Sequence, residues 1–240
     1  GINLKKMVDK KKNDWKSHFD KNANLFKDSL YKQVAKTVNG VPVDSGQLDV
    51  IANNIINKLA LKSDDVLIDL CCGNGLVTKV LAENVKKVIG IDFSKELVKV
   101  AKEANHAENI SYISQDVLEM SDELFIEGPK FYMYEALQLF SIDMFTQLLK
   151  IMSVCSGAKF FIGSVPDKDR LWDYYDTEEK KLFYHKCEDE NNSHMGHWWM
   201  KSDLESLALE NGFKVTFLSQ YSQLYTSYYR FDCLFENNNE

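Results

Sequence analysis

The sequence predicts an α/β protein built on a doubly wound, mostly parallel sheet, and three observations carry that prediction. Short apolar runs ending in an acid or another polar residue alternate with stretches of helical periodicity from Val66 to Ile162. The first run breaks at once into a glycine turn, Gly73-Asn74-Gly75, that opens a helix. At 240 residues and 45% hydrophobic, the chain can bury a full core as one domain with an appendage. Strands and helices at this interval pack as a sheet with helices on its faces.

The elements follow in order. Residues 11 to 38 carry Trp15, Phe19, Phe26, Leu30 and Val34, largely spaced at four and seven, which predicts an amphipathic helix or a broken pair of helices. The aromatic residues of this segment read as ordinary helix packing, and the basic run from Lys5 to Lys16 reads as a solvated helix face. Asn39-Gly40 and Pro42 end the segment. Asp44 with Gln47 predicts a capping box, and Leu48, Ile51, Ile55, Ile56 and Leu59 give the helix that delivers the chain to the first strand.

Val66, Leu67, Ile68 and Leu70 form that strand, with Asp69 near its end. Val77, Val80 and Leu81 mark the next helix, and Val88, Ile89 and Ile91 a second strand that stops at Asp92. Ser94 is placed to cap a helix striped by Leu97, Val98, Ala101 and Ala104. A third strand, Ile110 to Ile113, ends in Ser114-Gln115-Asp116, and a fourth, Phe131 to Leu139, holds Tyr134, Glu135 and Gln138. Helix 142 to 153 leads to strand 159 to 165, whose Phe160, Phe161 and Ile162 suit a central position.

Between Pro166 and Trp199 the periodicity fails in an aromatic, charged stretch that holds His185, His194 and His197. Ser202 and Glu205 then predict a second capping box. A helix to Asn211-Gly212 follows, with two strand-like runs, Lys214 to Leu218 and Tyr228 to Phe235.

Strand, glycine turn, helix, strand and acid from Val66 to Asp92 amount to half of a nucleotide-binding βαβ unit. Glycines let the backbone approach a ligand, and an acid at the tip of the second strand can accept both ribose hydroxyls. The order Asp69-x-Cys71-x-Gly73-x-Gly75, with Asp92 seventeen residues beyond Gly75, resembles motif I of the class I S-adenosylmethionine (SAM) dependent methyltransferases. The dehydrogenase fingerprint fits less well, because Thr78 stands where its third glycine belongs and that pattern has no use for Asp69. Cys71 occupies the first glycine of the methyltransferase motif, so the turn carries a cost there if it needs positive φ.

The resemblance covers about residues 45 to 235 and implies a Rossmann-like, seven-stranded sheet whose last strand inserts antiparallel. It divides the chain into an N-terminal helical cap, residues 1–45, and a methyltransferase domain, residues 46–240, with a lid insertion after strand five at about 166–199. The cofactor implied is SAM. Asp69, Cys71, Gly73, Asn74 and Gly75 would be cofactor-binding, with the Gly73 to Gly75 turn against its methionine part; Asp92 would hold the ribose, Phe93 would flank adenine, and Gln115, Asp116 and Val117 would contact the adenine amino edge. Tyr134 stands at the same end of the sheet. The segment Tyr31, Gln33, Lys36, Thr37 and Val38-Asn39-Gly40-Val41-Pro42, together with Val165-Pro166-Asp167, resembles methyltransferases encoded with bacterial surface-polysaccharide genes. That likeness would put Gln33, Lys36 or Thr37 near the SAM carboxylate and make the acceptor a polar sugar or sugar modification in capsule biosynthesis.

Methyl transfer from a sulfonium is mainly in-line placement of the acceptor, and a base is needed only for a hydroxyl or a protonated amine. His194, His197 and His185 are the candidates on the lid, and Tyr134 and Gln138 are candidates to orient the acceptor. Methylation of a protein or peptide side chain, a NAD-type oxidoreductase and a SAM-binding module without catalysis are the competing readings.

A net charge of −7 argues against a nucleic-acid backbone as partner. A small-molecule acceptor, no membrane and a monomer or homodimer are expected. Five cysteines without metal-ligand spacing indicate a reducing, cytoplasmic setting and no metal. No apolar stretch approaches the ~20 residues that span a bilayer. The N-terminus is not signal-like, and Gly1 in place of methionine reads as a tag remnant.

Overall fold

The computed structural model describes residues 4–238, and Gly1 lies outside them. Seven strands form one sheet: Val66–Leu70 (β1), Lys87–Asp92 (β2), Ile110–Ser114 (β3), Lys130–Tyr134 (β4), Lys159–Pro166 (β5), Phe213–Ser219 (β6) and Arg230–Asn237 (β7). Their order is β3-β2-β1-β4-β5-β7-β6. The pairs from β3 to β5 are parallel, and β7 runs antiparallel between β5 and β6, as the resemblance implied. Every residue of β1 is buried, which is why its sequence reads as an apolar run broken only by Asp69 rather than as an alternation.

Helices Gly46–Leu59 (α2), Leu76–Ala82 (α3) and Lys95–Ala104 (α4), after the N-terminal Leu4–Leu25 (α1), contribute to one layer. Ile51, Ile55 and Leu59 of α2, Leu81 of α3 and Val98 of α4 pack there on Leu67, Val88 and Phe161. Ile142–Met152 (α5) and Lys201–Glu210 (α7) cover the other face through Phe145, Leu148, Leu204 and Ala208. Glu178–Asp189 (α6) lies between them in the chain, within the insertion. Ser94 caps α4 as expected, accepting from the Leu97 N–H at 3.2 Å.

The structure corrects several local expectations. The fourth strand stops at Tyr134, because Glu135 takes φ 53°, and Leu137–Leu139 forms a 3-10 turn. The apolar run continues past the strand because Leu137 and Phe140 pack into the core from that turn. Neither capping box closes. Asp44 accepts from the Gly46 N–H at 2.7 Å, but the Gln47 side chain reaches the 221–229 loop instead, donating to the Gln223 carbonyl and accepting from the Tyr225 N–H. Ser202 lies inside α7, which starts one residue after Met200, because Trp199 is fixed by backbone bonds to the end of β5. Asn39 and Gly40, at φ 50° and 77°, form the two-residue turn of a small ribbon that pairs Thr37–Val38 with Val41–Pro42.

The insertion starts and ends at one place. Trp199 N–H donates to the Pro166 carbonyl at 2.9 Å, Lys168 N–H donates to the Trp199 carbonyl at 3.0 Å, and the buried Trp199 indole donates to the Leu137 carbonyl at 3.0 Å. Between these anchors, Leu171, Tyr175 and Trp198 pack with Tyr229 into a separate aromatic core.

Candidate active site

A ligand in an open α/β sheet sits beyond the carboxyl ends of the strands where the order reverses, here between β1 and β4. A cavity opens there, with about 1010 Å³ of empty space including its mouth. Asp69, Cys71, Gly73, Asn74 and Tyr134 line it from the ends of β1 and β4, and Asp92, Phe93, Asp116 and Val117 from the ends of β2 and β3.

Asp92 is 4% exposed, and its two oxygens accept from the Gly73 and Ser94 N–H groups, each at 2.9 Å. Burial pushes its carboxyl up to about 6 against those two stabilising bonds, and no described ion pair includes it. Each oxygen keeps a lone pair for another donor, the arrangement a vicinal diol needs. Asp69 is also buried, and accepts from Thr78 Oγ1 at 2.6 Å and from the Tyr132 hydroxyl; burial raises its carboxyl to about 7.

The turn is shaped by close approaches. Cys71 does sit at positive φ, 63°, where an L-residue costs ~1–2 kcal/mol, and burial holds its thiol well above the ordinary range. At Gly73, φ 57°, a Cβ would stand 3.2 Å from Val34, so the N-terminal segment lies directly over the turn. Gly75 does not line the cavity. A Cβ there would lie 2.4 Å from the Tyr112 hydroxyl, so packing of the turn on β3 requires the glycine.

Other expected residues serve the frame. The Asn74 amide donates to the Leu30 carbonyl at 2.8 Å and to Gln33 Oε1 at 3.0 Å, and Gln33 in turn donates to the Phe26 carbonyl. Gln33 is thus a strut behind the cavity wall. Thr37 belongs to the ribbon, and Gln115 donates to the Glu119 carbonyl; neither lines the cavity. Lys36 does, with its ammonium 3.0 Å from Glu135 Oε2.

Helix α1 supplies residues that sequence reasoning took for ordinary packing, Trp15 and Phe19, or for part of a solvated face, Lys12. Lys12, Trp15 and Phe19 line the cavity, Lys12 pairs with Asp116 at 2.7 Å, and Phe19 meets Phe93 at a centroid distance of 6.4 Å. Asp20 accepts from Ser94 Oγ at 2.6 Å. The available signal was the (i, i+4) pair Trp15 and Phe19 on a helix otherwise rich in charge.

A second, wider cavity adjoins the first, sharing Trp15, Leu139 and Phe140. Lysines, acids and His18 from α1 and the 166–199 insertion face it beside Gln138, Ser141 and Phe183. His194 and His197 line it. His194 Nδ1 is 3.1 Å from the Tyr175 hydroxyl, and the His197 N–H donates to the Gln138 carbonyl at 2.8 Å. Burial lowers the pKa of both imidazoles, so they are neutral at physiological pH. His185 lines neither cavity and packs on Trp172 and Tyr184 at the exposed side of α6. The Tyr134 phenol, pushed up by burial, stays protonated.

Residues 67–152 match a protein family described as a methyltransferase domain. Ubiquinone biosynthesis O-methyltransferase of Coxiella burnetii is 43% identical over 67 residues, 26% of this chain and 27% of that protein. Other curated relatives are an RNA methyltransferase of Clostridium tetani, 30% identical over 87 residues (35% of this chain, 19% of that protein), and a 23S rRNA (uracil-C5)-methyltransferase of Aliivibrio salmonicida, 31% identical over 94 residues (38% of this chain, 22% of that protein). The chain spans about a fifth to a quarter of the length of the curated relatives it matches. The plantazolicin methyltransferase BpumL in complex with S-adenosylhomocysteine (SAH) superposes with a TM-score of 0.62 at 14% identity, over 97% of this chain and 100% of that one. Magnesium protoporphyrin IX methyltransferase from Synechocystis, with bound SAM, superposes with a TM-score of 0.54 at 14% identity over 80% and 79%. Residues 67–152 thus carry a methyltransferase-domain match, and the chain as a whole shares its fold with solved methyltransferases that bind SAM or SAH.

Proposed function

We propose that this protein transfers a methyl group from SAM to a small polar acceptor. The observation that carries the reading is the convergence of nine expected cofactor residues on one cavity at the switch point of the sheet, with Asp92 buried there and its oxygens still able to accept. Those residues fit the cofactor: a diol acceptor at Asp92, apolar walls at Phe93 and Val117, and a turn at Gly73 open to close backbone approach.

When bound, SAM supplies a sulfonium methyl that is already electrophilic. The chain's task is to place an acceptor against it and exclude water. Trp15, Leu139 and Phe140 form the neck through which the acceptor reaches the methyl from the second cavity. His197 and His194 are neutral and face the acceptor side, so either can take the proton of a hydroxyl or ammonium. Tyr134 orients from the cofactor side. In this reading residues 1–45 act as a cap over the cofactor and residues 166–199 as a lid over the acceptor.

The finer assignment is O- or N-methylation of a sugar or sugar-modifying group in surface polysaccharide biosynthesis, by a cytoplasmic monomer or homodimer. It is supported by the polar lining of the second cavity, where lysines and acids stand with aromatic, amide and hydroxyl groups, and by the two short sequence likenesses. The net charge of −7 favours a small molecule over nucleic acid. Among the described residues no helix is long and apolar enough to cross a membrane.

Calorimetric titration with SAM and SAH, with NADH as control, tests the core of the proposal. Binding of both with no NADH response is expected. Silence for SAM and SAH overturns it, and a NADH signal would revive the oxidoreductase reading.

A further inference from the structure

Lys36 and Glu135 form a buried ion pair where stability gives no reason for one. Their side chains are 7% and 12% exposed, and both line the cofactor cavity. A buried pair gains little over an apolar contact, because desolvation offsets the attraction. The backbone on both sides of it is held in an unfavourable region: Glu135 has φ 53° and Ala35, next to Lys36, has φ 56°. Strain of this kind persists where surrounding structure imposes it, and it clusters at ligand sites.

Each member of the pair is independently supported, so each can change partner. Glu135 Oε1 accepts from the Tyr225 hydroxyl at 2.9 Å. Burial opposes its charge, but Lys36, Arg230 and Tyr225 outweigh burial and keep the carboxyl below its ordinary pKa. The Lys36 ammonium lies 5.6 Å from the centroid of the Tyr134 ring, a second favourable neighbour for a cation. Lys36 also sits two residues beyond Val34, which contacts the Gly73 turn, so the pair stands beside the floor of the cavity.

A ligand that offers one carboxylate and one ammonium on the same carbon matches this pair. We propose that Lys36 and Glu135 are a charge clamp for the α-amino-acid end of the cofactor: they pair with each other in its absence, and in its presence Lys36 takes the carboxylate and Glu135 the ammonium. The inference rests on the SAM reading of the cavity. It makes the clamp, rather than the adenosine contacts, the source of discrimination against nucleosides without an amino-acid end. Asp69 lines the same cavity but is committed to Thr78 and Tyr132, and Asp116 pairs with Lys12 of α1, so Glu135 is the acid whose partner Lys36 can itself take the carboxylate.

The test compares SAH with 5′-methylthioadenosine, which keeps the adenosine and sulfur but lacks the amino-acid end. Calorimetry is run on the full chain and on Lys36→Met, Glu135→Gln and the double variant. The wild type is expected to prefer SAH, and either single variant to lose at least about tenfold in SAH affinity while 5′-methylthioadenosine affinity stays within about twofold. Retained nucleoside binding also certifies that a variant is folded. A SAH preference unchanged within about twofold in the variants overturns the clamp and leaves the cofactor reading standing. Loss of both ligands by the variants also overturns it, because the pair then holds the fold. If the wild type binds neither ligand, the SAM reading itself fails.

Discussion

Replacing Asp92 with alanine separates affinity from stability in a way that follows from its surroundings. The carboxylate is 4% exposed and accepts one backbone N–H on each oxygen. Hydrogen bonds to a charged group contribute ~1.5–3 kcal/mol, so losing the diol contacts should weaken SAM and SAH by ~2 kcal/mol, about 30-fold in Kd. Folding responds to two opposed terms. The substitution leaves the Gly73 and Ser94 N–H groups without their acceptor, which costs ~1–3 kcal/mol. It also removes a carboxyl whose pKa burial raises from 3.8 to about 6, a charge that costs folding ~3 kcal/mol at neutral pH. Stability at about pH 7 should therefore change little while affinity falls. Calorimetric titration with SAH beside chemical denaturation reads both quantities. Unchanged affinity refutes the ribose assignment, and equal losses of affinity and stability show that Asp92 acts through the turn.

Further expectations concern pH, the lid, the turn and the cap. Asp69 and Asp92 both titrate higher in the folded chain, at about 7 and about 6 against 3.8. Their contribution to stability is therefore full below pH 3.8 and lost as pH rises through about 6 to 7. The melting temperature of the free protein should fall between about pH 5 and about pH 8, and Asp69→Asn should flatten that slope; parallel slopes would exclude Asp69 as the cause. His197→Ala should lower turnover by about 10²-fold or more with SAH affinity within about twofold, measured by methyl transfer and calorimetry; equal losses would mean that the lid shapes the cofactor cavity. Cys71→Gly should stabilise the chain by up to ~1 kcal/mol because φ there is 63°, whereas Cys71→Val should destabilise it by more than ~1 kcal/mol in thermal unfolding. Trp15→Ala should weaken SAH binding, and Lys12→Met should change it by less than ~1 kcal/mol with a dependence on salt, since that pair is about one-fifth exposed.

The sheet and its ligand end were legible in the sequence because both rest on local chemistry. A buried parallel strand must be apolar wherever no polar partner awaits it, a tight turn before a helix favours glycine, and strand ends that meet a ligand turn polar. Val66 to Asp92 obeys all three, so β1, the turn, α3 and β2 could be placed from residues alone, and Asp69, Gly73, Asp92 and Asp116 do reach one cavity. What the sequence could not reveal depends on long-range closure. That Trp15 and Phe19 face the cavity at the switch point, and not merely each other, is decided by how α1 docks on α4 through Asp20 and Ser94. Gln33 turned into a strut and Lys36 into half of a buried ion pair because the ribbon at residues 37–42 sets which of them points inward. His194 and His197 reach the second cavity while His185 does not, because the insertion is pinned at Asp167 and Trp199 and its own aromatic core fixes α6. Periodicity and turn chemistry determine which elements form. The facing of side chains across more than a hundred residues of separation, such as the 104 between Lys12 and Asp116, is settled only when the tertiary packing closes.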